Sequence, residues 1–484
     1  MTVKSMNINN VLLFSIGPLG SAVLSLITLP IATWFFLPED IGRLAMLQVI
    51  MSFSVLMCGL GLDQAYVREF YEVEENKRAS LLKTVSLPGL FIIVGLLAGS
   101  FISPWSISKM LFGVNAGSLT FFLLIAIFCA FNIRFLSLVL RMNERGLAFS
   151  ISQILPKVVF LLFLGVYILF EFESTFKLLV IAQTISVLCV FLLFSFNARR
   201  QLCLALRADF DYKKLKMILV YSIPLMGGGV SFWGLTATDK FFLRAFSSFE
   251  ELGVYSVSMS FAGVGLILQA IFSTIWAPTV YKWSAEKCST NKVKKVIDSM
   301  VVIVVLLWAG VGVFSWMVPL FLPQSFQSVQ SILLVAIAYP LLYTLSEATS
   351  VGIGVKRKSV YSLIATVVAL VVNVIGNYFL VPRHGAAGAG VASALAFFVF
   401  FVVKTEVSVR IWLEFERFKM YLFIVLLLVL SVLINILFFS SKEVVIVFLV
   451  FFVAAICSYK RQLLVFCSLL KDNMPSALKG RRDG

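Results

Sequence analysis

Histidine is nearly missing from this chain: His384 is the single imidazole in 484 residues. With one such group, a His-activated nucleophile and His-rich metal sites have almost no material to work with. The seven cysteines (Cys58, Cys129, Cys189, Cys203, Cys288, Cys457 and Cys467) form no C-x-x-C pair. On the topology below none falls in an external loop, so no disulfide framework is implied. Charge is scarce too, at 13% of residues, against roughly a quarter in soluble domains. What fills the space is apolar: 60% hydrophobic residues, 47 phenylalanines and a mean hydropathy of +1.01. This is the composition of a polytopic membrane protein.

A bilayer core of about 30 Å takes about 20 apolar residues as helix, because backbone groups cannot be left unpaired in hydrocarbon. Fourteen such segments can be drawn, at 11–37, 42–66, 84–103, 118–140, 148–170, 177–196, 217–245, 252–280, 297–322, 329–352, 359–381, 386–408, 420–440 and 443–459. The expected fold is all-α, with about fourteen transmembrane helices. The N-terminus carries Lys4 and no small-residue cleavage site before its first apolar run, so that run reads as a retained span and not a signal peptide.

The excess of basic residues, net +16, is explained by where they lie. With the N-terminus inside, the runs 68–83, 141–145, 199–216, 282–295, 356–358, 410–419 and the tail from Lys460, with Lys4, hold 30 of the 40 basic residues. The opposite loops hold four: Lys109, Lys177, Arg383 and Lys442. That is the positive-inside pattern, and it places both termini in the cytoplasm. It reports orientation, not a nucleic-acid partner.

An internal repeat is visible. F-L-P-E-D-I-G-R-L-A-M, Phe36 to Met46, matches S-S-F-E-E-L-G-V-Y-S-V, Ser247 to Val257, with Gly42 and Gly253 offset by 211. Ser15 to Leu19 resembles Ser222 to Leu225, and Arg145 and Arg357 are offset by 212. Six spans per copy is an even number, so the copies are parallel, related by an axis along the membrane normal. The expected organisation is a six-helix lobe at 1–196, a basic cytoplasmic linker at 197–216 and a second six-helix lobe at 217–409. Residues 410–484 then hold two extra hydrophobic segments and the basic tail. Pro224, followed within a turn by Gly227, Gly228 and Gly229, is a candidate hinge.

Charges inside spans are costly and mark cavities or partners. Lys157, beside Pro156 near the middle of its span, is the deepest basic residue; Arg134, Lys240, Arg244 and Arg43 lie nearer the rims. All five are candidate substrate contacts. Glu347, Asp239 and Asp63 are candidates for coupling to a proton or sodium gradient; the plainer readings of Asp63 are a pair with Arg68 or a cap on a helix end, and Arg68 itself marks the inner boundary. Asp239 and Lys240 are about 100° apart on a helix, whereas Lys240 and Arg244 share a face and need an anion or outside acidic groups such as Glu250 and Glu251. Outer-leaflet anchoring by snorkelling is the simpler reading for that pair. Trp233, Trp276, Tyr339 and Tyr343 could stack on sugars, but packing and interfacial anchoring explain them as well.

F-S-I-G-P-L-G at Phe14 to Gly20, the P-E-D-I-G-R-L turn, G-L-G-L-D-Q-A-Y-V-R-E-F-Y at Gly59 to Tyr71 and I-W-A-P at Ile275 to Pro278 carry a family resemblance. The chain resembles the Wzx-type O-antigen and polysaccharide flippases of the multidrug/oligosaccharidyl-lipid/polysaccharide exporter superfamily. That resemblance implies a MATE-like pair of lobes, alternating access in a bacterial inner membrane, and transfer of a polyprenyl-diphosphate-linked oligosaccharide to the periplasmic leaflet. No cofactor is implied beyond an ion gradient. Membrane lipids, a polysaccharide polymerase and chain-length machinery are the implied partners. The alternatives are a cation-coupled drug exporter on the same fold, which would favour acidic cavity residues, and an integral-membrane glycosyltransferase or polymerase. Short external loops and the lack of a D-x-D disfavour the enzyme.

Overall fold

Helix breaks in this protein fall where proline, glycine and capping side chains put them. In a computed structural model, residues 8–102, 107–143, 145–170, 175–286, 290–437, 441–460 and 462 are described. Lys4, Cys288 and the basic tail beyond Gln462 lie outside these residues. Among the described residues there are helices and no strands. The chain forms two compact units, residues 1–267 and 268–484.

The first unit contains α1 (Ile8–Phe35), α2 (Pro38–Gly59), α3 (Leu62–Glu69), α4 (Arg78–Ile102), α5 (Ile107–Phe112) and α6 (Gly117–Met142). It continues with α7 (Gly146–Leu169), α8 (Phe176–Asn197), α9 (Arg199–Arg207), α10 (Tyr212–Phe246) and α11 (Phe249–Ala262). α12 (Gly265–Ala285) runs across the division. The second unit holds α13 (Asn291–Phe314), α14 (Val329–Ala336), α15 (Ala338–Thr349), α16 (Val351–Val355), α17 (Val360–Ile411), α18 (Phe418–Leu437) and α19 (Ser441–Ser458). The division follows packing, so the basic stretch 197–216 and α10 and α11 lie with the first unit.

Among the described residues, ten helices are long and apolar enough to cross a membrane, or eleven if α11 and α12, bent by 46°, make one crossing. The 52-residue α17 breaks at Gly385, whose φ of 50° is left-handed, and α1 and α19 are further apolar helices of 28 and 18 residues. Each of the fourteen segments read from hydropathy thus has a helical counterpart.

The repeat motif makes the same element twice. In the first copy Pro38 occupies the first turn of α2, where its missing N–H costs nothing, and Glu39 and Asp40 face the helix dipole. In the second, the Ser248 hydroxyl caps α11 by accepting from the Glu251 N–H, with Glu250 and Glu251 in the first turn. At the other end of α2, Leu60 (φ 49°) and Gly61 (φ 69°) are both left-handed, which ends the helix and starts α3. This turn is the G-L-G-L-D stretch.

Lipid tails are as apolar as leucine, so burial of leucine does not hold such helices together. Close backbone approach does. Gly17 and Gly20 lie on one face of α1, and a Cβ on either would stand 2.7 Å from Ser150 Cα or Ile154 Cδ1 of α7. Gly42 and Gly253 bring α2 and α11 together in the same way. In the second unit Gly388 lets the second half of α17 fold against the first, its Cβ position lying 3.1 Å from the Leu380 side chain.

Candidate functional site

Lys157 is placed by the seam between α1 and α7. Ser21 and Ser25 lie on the face of α1 that Gly17 and Gly20 bring against α7, and Lys157 comes from α7 opposite them. Its ammonium donates to the Ser21 carbonyl at 2.7 Å and to the Ser25 hydroxyl. The Ser25 carbonyl accepts in turn from Ser260 of α11 at 3.2 Å. Lys157 forms no ion pair among the described residues. It is a half-buried charge held by neutral oxygens, and its third N–H is left for another acceptor.

Toward the end of the first unit that carries residues 68–83 and 199–216, Asp63 pairs with Arg134 of α6, which donates through Nε at 3.0 Å and Nη2 at 2.7 Å. The sequence pointed to Arg68 as Asp63's partner. Arg68 instead lies over the Tyr221 ring at 4.7 Å, because α3 turns its side chain toward α10. Glu69, unremarked in the sequence, is 4% exposed. It accepts from Lys214 and from the Tyr221 hydroxyl, the latter at 2.9 Å. Burial alone would raise its pKa, but the hydrogen bonds from Lys214 and Tyr221 outweigh it and hold the carboxyl below the ordinary glutamate range. Beside this cluster Gly61 presses on the Ser222 carbonyl of α10, leaving no room for a Cβ.

At the opposite end of the unit the two arginines share one task. Arg43 bonds Glu39 at 2.5 Å and Asp40 at 3.2 Å, and its Nε donates to the Phe112 carbonyl at 3.1 Å. Arg244 donates to the Leu111 carbonyl at 3.4 Å. Both guanidinium carbons lie over the Phe249 ring, at 5.2 and 4.6 Å. The two cations therefore hold the last carbonyls of α5, as suits the negative end of a helix. Asp239 is 1% exposed and accepts from the Tyr255 hydroxyl at 2.5 Å. Lys240 forms no ion pair among the described residues; neither Glu250 nor Glu251 reaches it or Arg244 as an ion pair.

In the second unit Glu347 of α15 accepts from Lys404 of α17 at 2.9 Å, with the Lys404 side chain 8% exposed. Lys404 also faces the Phe400 ring at 4.9 Å. The aromatic candidates are packed. Trp233 bonds the Ser52 hydroxyl at 3.1 Å, Trp276 the Ala348 carbonyl at 3.2 Å, and Tyr339 and Tyr343 lie against Phe397 and Phe400. Pro224, Gly227, Gly228 and Gly229 lie within an unbroken α10.

Apolar helices long enough to cross a membrane, with charge pairs bridging them, define a multi-pass membrane protein. The chain belongs to the polysaccharide biosynthesis protein family, whose model matches residues 8–284. Among solved structures it is similar to a lipid II flippase MurJ in an inward closed conformation, with a TM-score of 0.69 at 14% identity over 94% of this chain and 100% of that one. It is similar also to an inward-facing multidrug resistance MATE family transporter of the MOP superfamily, with a TM-score of 0.60 at 16% identity over 83% and 94%. The outward-facing form of such a transporter gives 0.53 at 16% identity over 85% and 94%. At these identities the likeness is one of fold, and these neighbours are a flippase and transporters, not enzymes. Comparison with curated proteins gives no match.

Proposed function

We propose that this chain is a flippase that moves a polyprenyl-diphosphate-linked oligosaccharide, the repeat unit of an O-antigen or related surface polysaccharide, across the membrane by alternating access. The observation that carries this reading is Lys157: an ammonium that neutral oxygens hold and that no carboxylate among the described residues pairs with. A charge at the bilayer centre costs about 2.5 to 3.5 kcal/mol on insertion scales, and a diphosphate brings about two. A cation not already spent on a carboxylate lowers that cost, with charge-assisted hydrogen bonds to the phosphate oxygens. The family match supports the reading, as does the likeness to a lipid II flippase.

On this reading the basic loops face the cytoplasm of a bacterial inner membrane, the two repeat copies act as the moving lobes with Pro224 and its glycines as a hinge, and transfer runs toward the periplasm. Asp63 and Glu347 couple transport to a proton or sodium gradient by exchanging Arg134 and Lys404 for the ion, with Asp239 released from Tyr255 in the same cycle. A drug-cation exporter would favour acidic residues where this chain has the cation Lys157.

The test is transfer of a labelled lipid-linked oligosaccharide in proteoliposomes, read by its accessibility to an external glycosidase. Lys157→Ala lowers the rate at least about tenfold, the loss of one charge-assisted contact worth roughly 1.5 to 3 kcal/mol, and Lys157→Arg keeps most of it. An unchanged rate in Lys157→Ala overturns the assignment.

A further inference from the structure

The nine-residue α9, R-R-Q-L-C-L-A-L-R, joins the end of α8 to the start of α10, and its two sides have different fates. The side toward the protein is used. Ala205 is buried, and the chain leaving the helix is fastened to α4: Lys83 donates to the carbonyls of Leu206 at 3.1 Å and Ala208 at 2.8 Å, and Ser80 to that of Asp209 at 2.6 Å. The Asp211 N–H donates to the Thr84 hydroxyl at 3.1 Å.

The other side is bare. Leu204 is 52% exposed, Leu206 is 77% exposed but about 160° around the helix from it, and Arg199, Arg200 and Arg207, which lie between the two, are exposed and form no ion pair among the described residues. Arg200, Leu204 and Arg207 lie along one stripe, four and three residues apart. The Arg199 guanidinium lies 4.9 Å over the ring of Phe196, which is itself exposed at the end of the membrane-crossing α8. Arginines with a leucine among them, next to the exposed Phe196 at the end of an apolar helix long enough to cross a membrane, suit a bilayer interface.

We infer that α9 binds anionic phospholipid headgroups through Arg199, Arg200 and Arg207, with Leu204 seated beside them at the acyl boundary. The occupant is a lipid and not a free phosphate, because Leu204 beside Arg200 and Arg207, and the exposed Phe196 ring beneath Arg199, need an apolar phase beside the anion. The binding bears on the rest of the unit. The segment after α9 ends at Asp211, which caps α10 by accepting the Lys214 N–H at 2.9 Å, and Lys214 is the cation on Glu69. A bound leaflet thus fixes the first turn of α10 where it meets α3. The inference does not depend on the transported substrate; only the choice of the cytoplasmic leaflet uses the orientation proposed above.

Cys203, exposed on the same helix, reports the outcome. The full chain, with its other cysteines changed to serine and a fluorophore on Cys203, is placed in nanodiscs of phosphatidylcholine or of an equal mixture with phosphatidylglycerol. Phosphatidylglycerol is expected to increase quenching by nitroxide lipids and decrease quenching by aqueous iodide. The triple change Arg199→Gln, Arg200→Gln, Arg207→Gln should abolish that response, weakening the lipid's apparent affinity on the order of a hundredfold, at about fivefold per arginine. The corresponding triple lysine variant should keep most of it. Native mass spectrometry of the chain with all its cysteines should show phosphatidylglycerol retained, and lost in the glutamine variant. Equal quenching in both lipids, equal retention by the glutamine variant, or reversal of the lipid response by soluble pyrophosphate would each overturn the inference.

Discussion

Gly42 of α2 and Gly253 of α11, the two glycines that the repeat sets in equivalent positions, pack against each other. The Cβ position of Gly42 lies 2.9 Å from the Gly253 nitrogen and overlaps the Phe249 carbonyl; that of Gly253 lies 3.1 Å from the Gly42 nitrogen and overlaps the Pro38 carbonyl. The contact is thus reciprocal, each glycine meeting the other's helix one turn toward its start. Gly42→Ala or Gly253→Ala forces the backbones apart, at a cost of about 1 to 3 kcal/mol. Thermal unfolding in detergent should register either change as a clear loss, and a midpoint equal to that of the wild type would show the seam to be looser than described.

The buried pair in the second unit predicts an asymmetry. Glu347→Gln leaves Lys404, 8% exposed, without its carboxylate, which costs about 3 to 5 kcal/mol when one partner of a buried pair is removed. The double change Glu347→Gln with Lys404→Met should recover much of that. If the double variant is as unstable as the single one, the charges are not what the pair contributes.

Asp63 and Arg134 call for a smaller number. The Arg134 side chain is 49% exposed, so solvent screens the pair and a double-mutant cycle with Asp63→Asn and Arg134→Gln should give a coupling of about 0.2 to 1 kcal/mol. Transport should fall further than stability in each single variant if the pair takes part in ion coupling. Parallel losses would assign it to structure alone.

Glu69 gives a pH dependence with a definite sign. Its carboxyl titrates below the ordinary value of 4.5 in the folded chain, so its stabilisation is complete above that value and is lost as pH falls through the lower, folded one. Thermal midpoints measured on acidification should therefore drop less steeply in Glu69→Gln than in the wild type. Tyr221→Phe, which removes one of the two donors, should shift the acid transition to higher pH.

Much of the architecture was legible in the chain because apolar run length answers to bilayer thickness and not to partners. The spans and the repeat are local or periodic signals, whereas the break at Leu60 and Gly61 falls inside the span read at 42–66. Arg43 shows the boundary: its bonds to Glu39 and Asp40 follow from helical spacing, while its bond to the Phe112 carbonyl crosses 69 positions of sequence. Arg244 stands near a span's rim, and the group it meets is a backbone carbonyl, which no side-chain pattern announces.

The sequence by itself determined that this is an all-helical membrane protein, which segments cross, and where charges stand inside them, since hydrocarbon penalises each of these locally. Only the tertiary structure decided who pairs with whom. Asp63 takes Arg134 in place of Arg68, Glu347 takes Lys404, Glu69 is fixed by Lys214 and Tyr221, and Lys157 is held by serine oxygens. The physical reason is that a charge in a low-dielectric bundle must find a partner, but which one it finds depends on which helices glycine allows to approach.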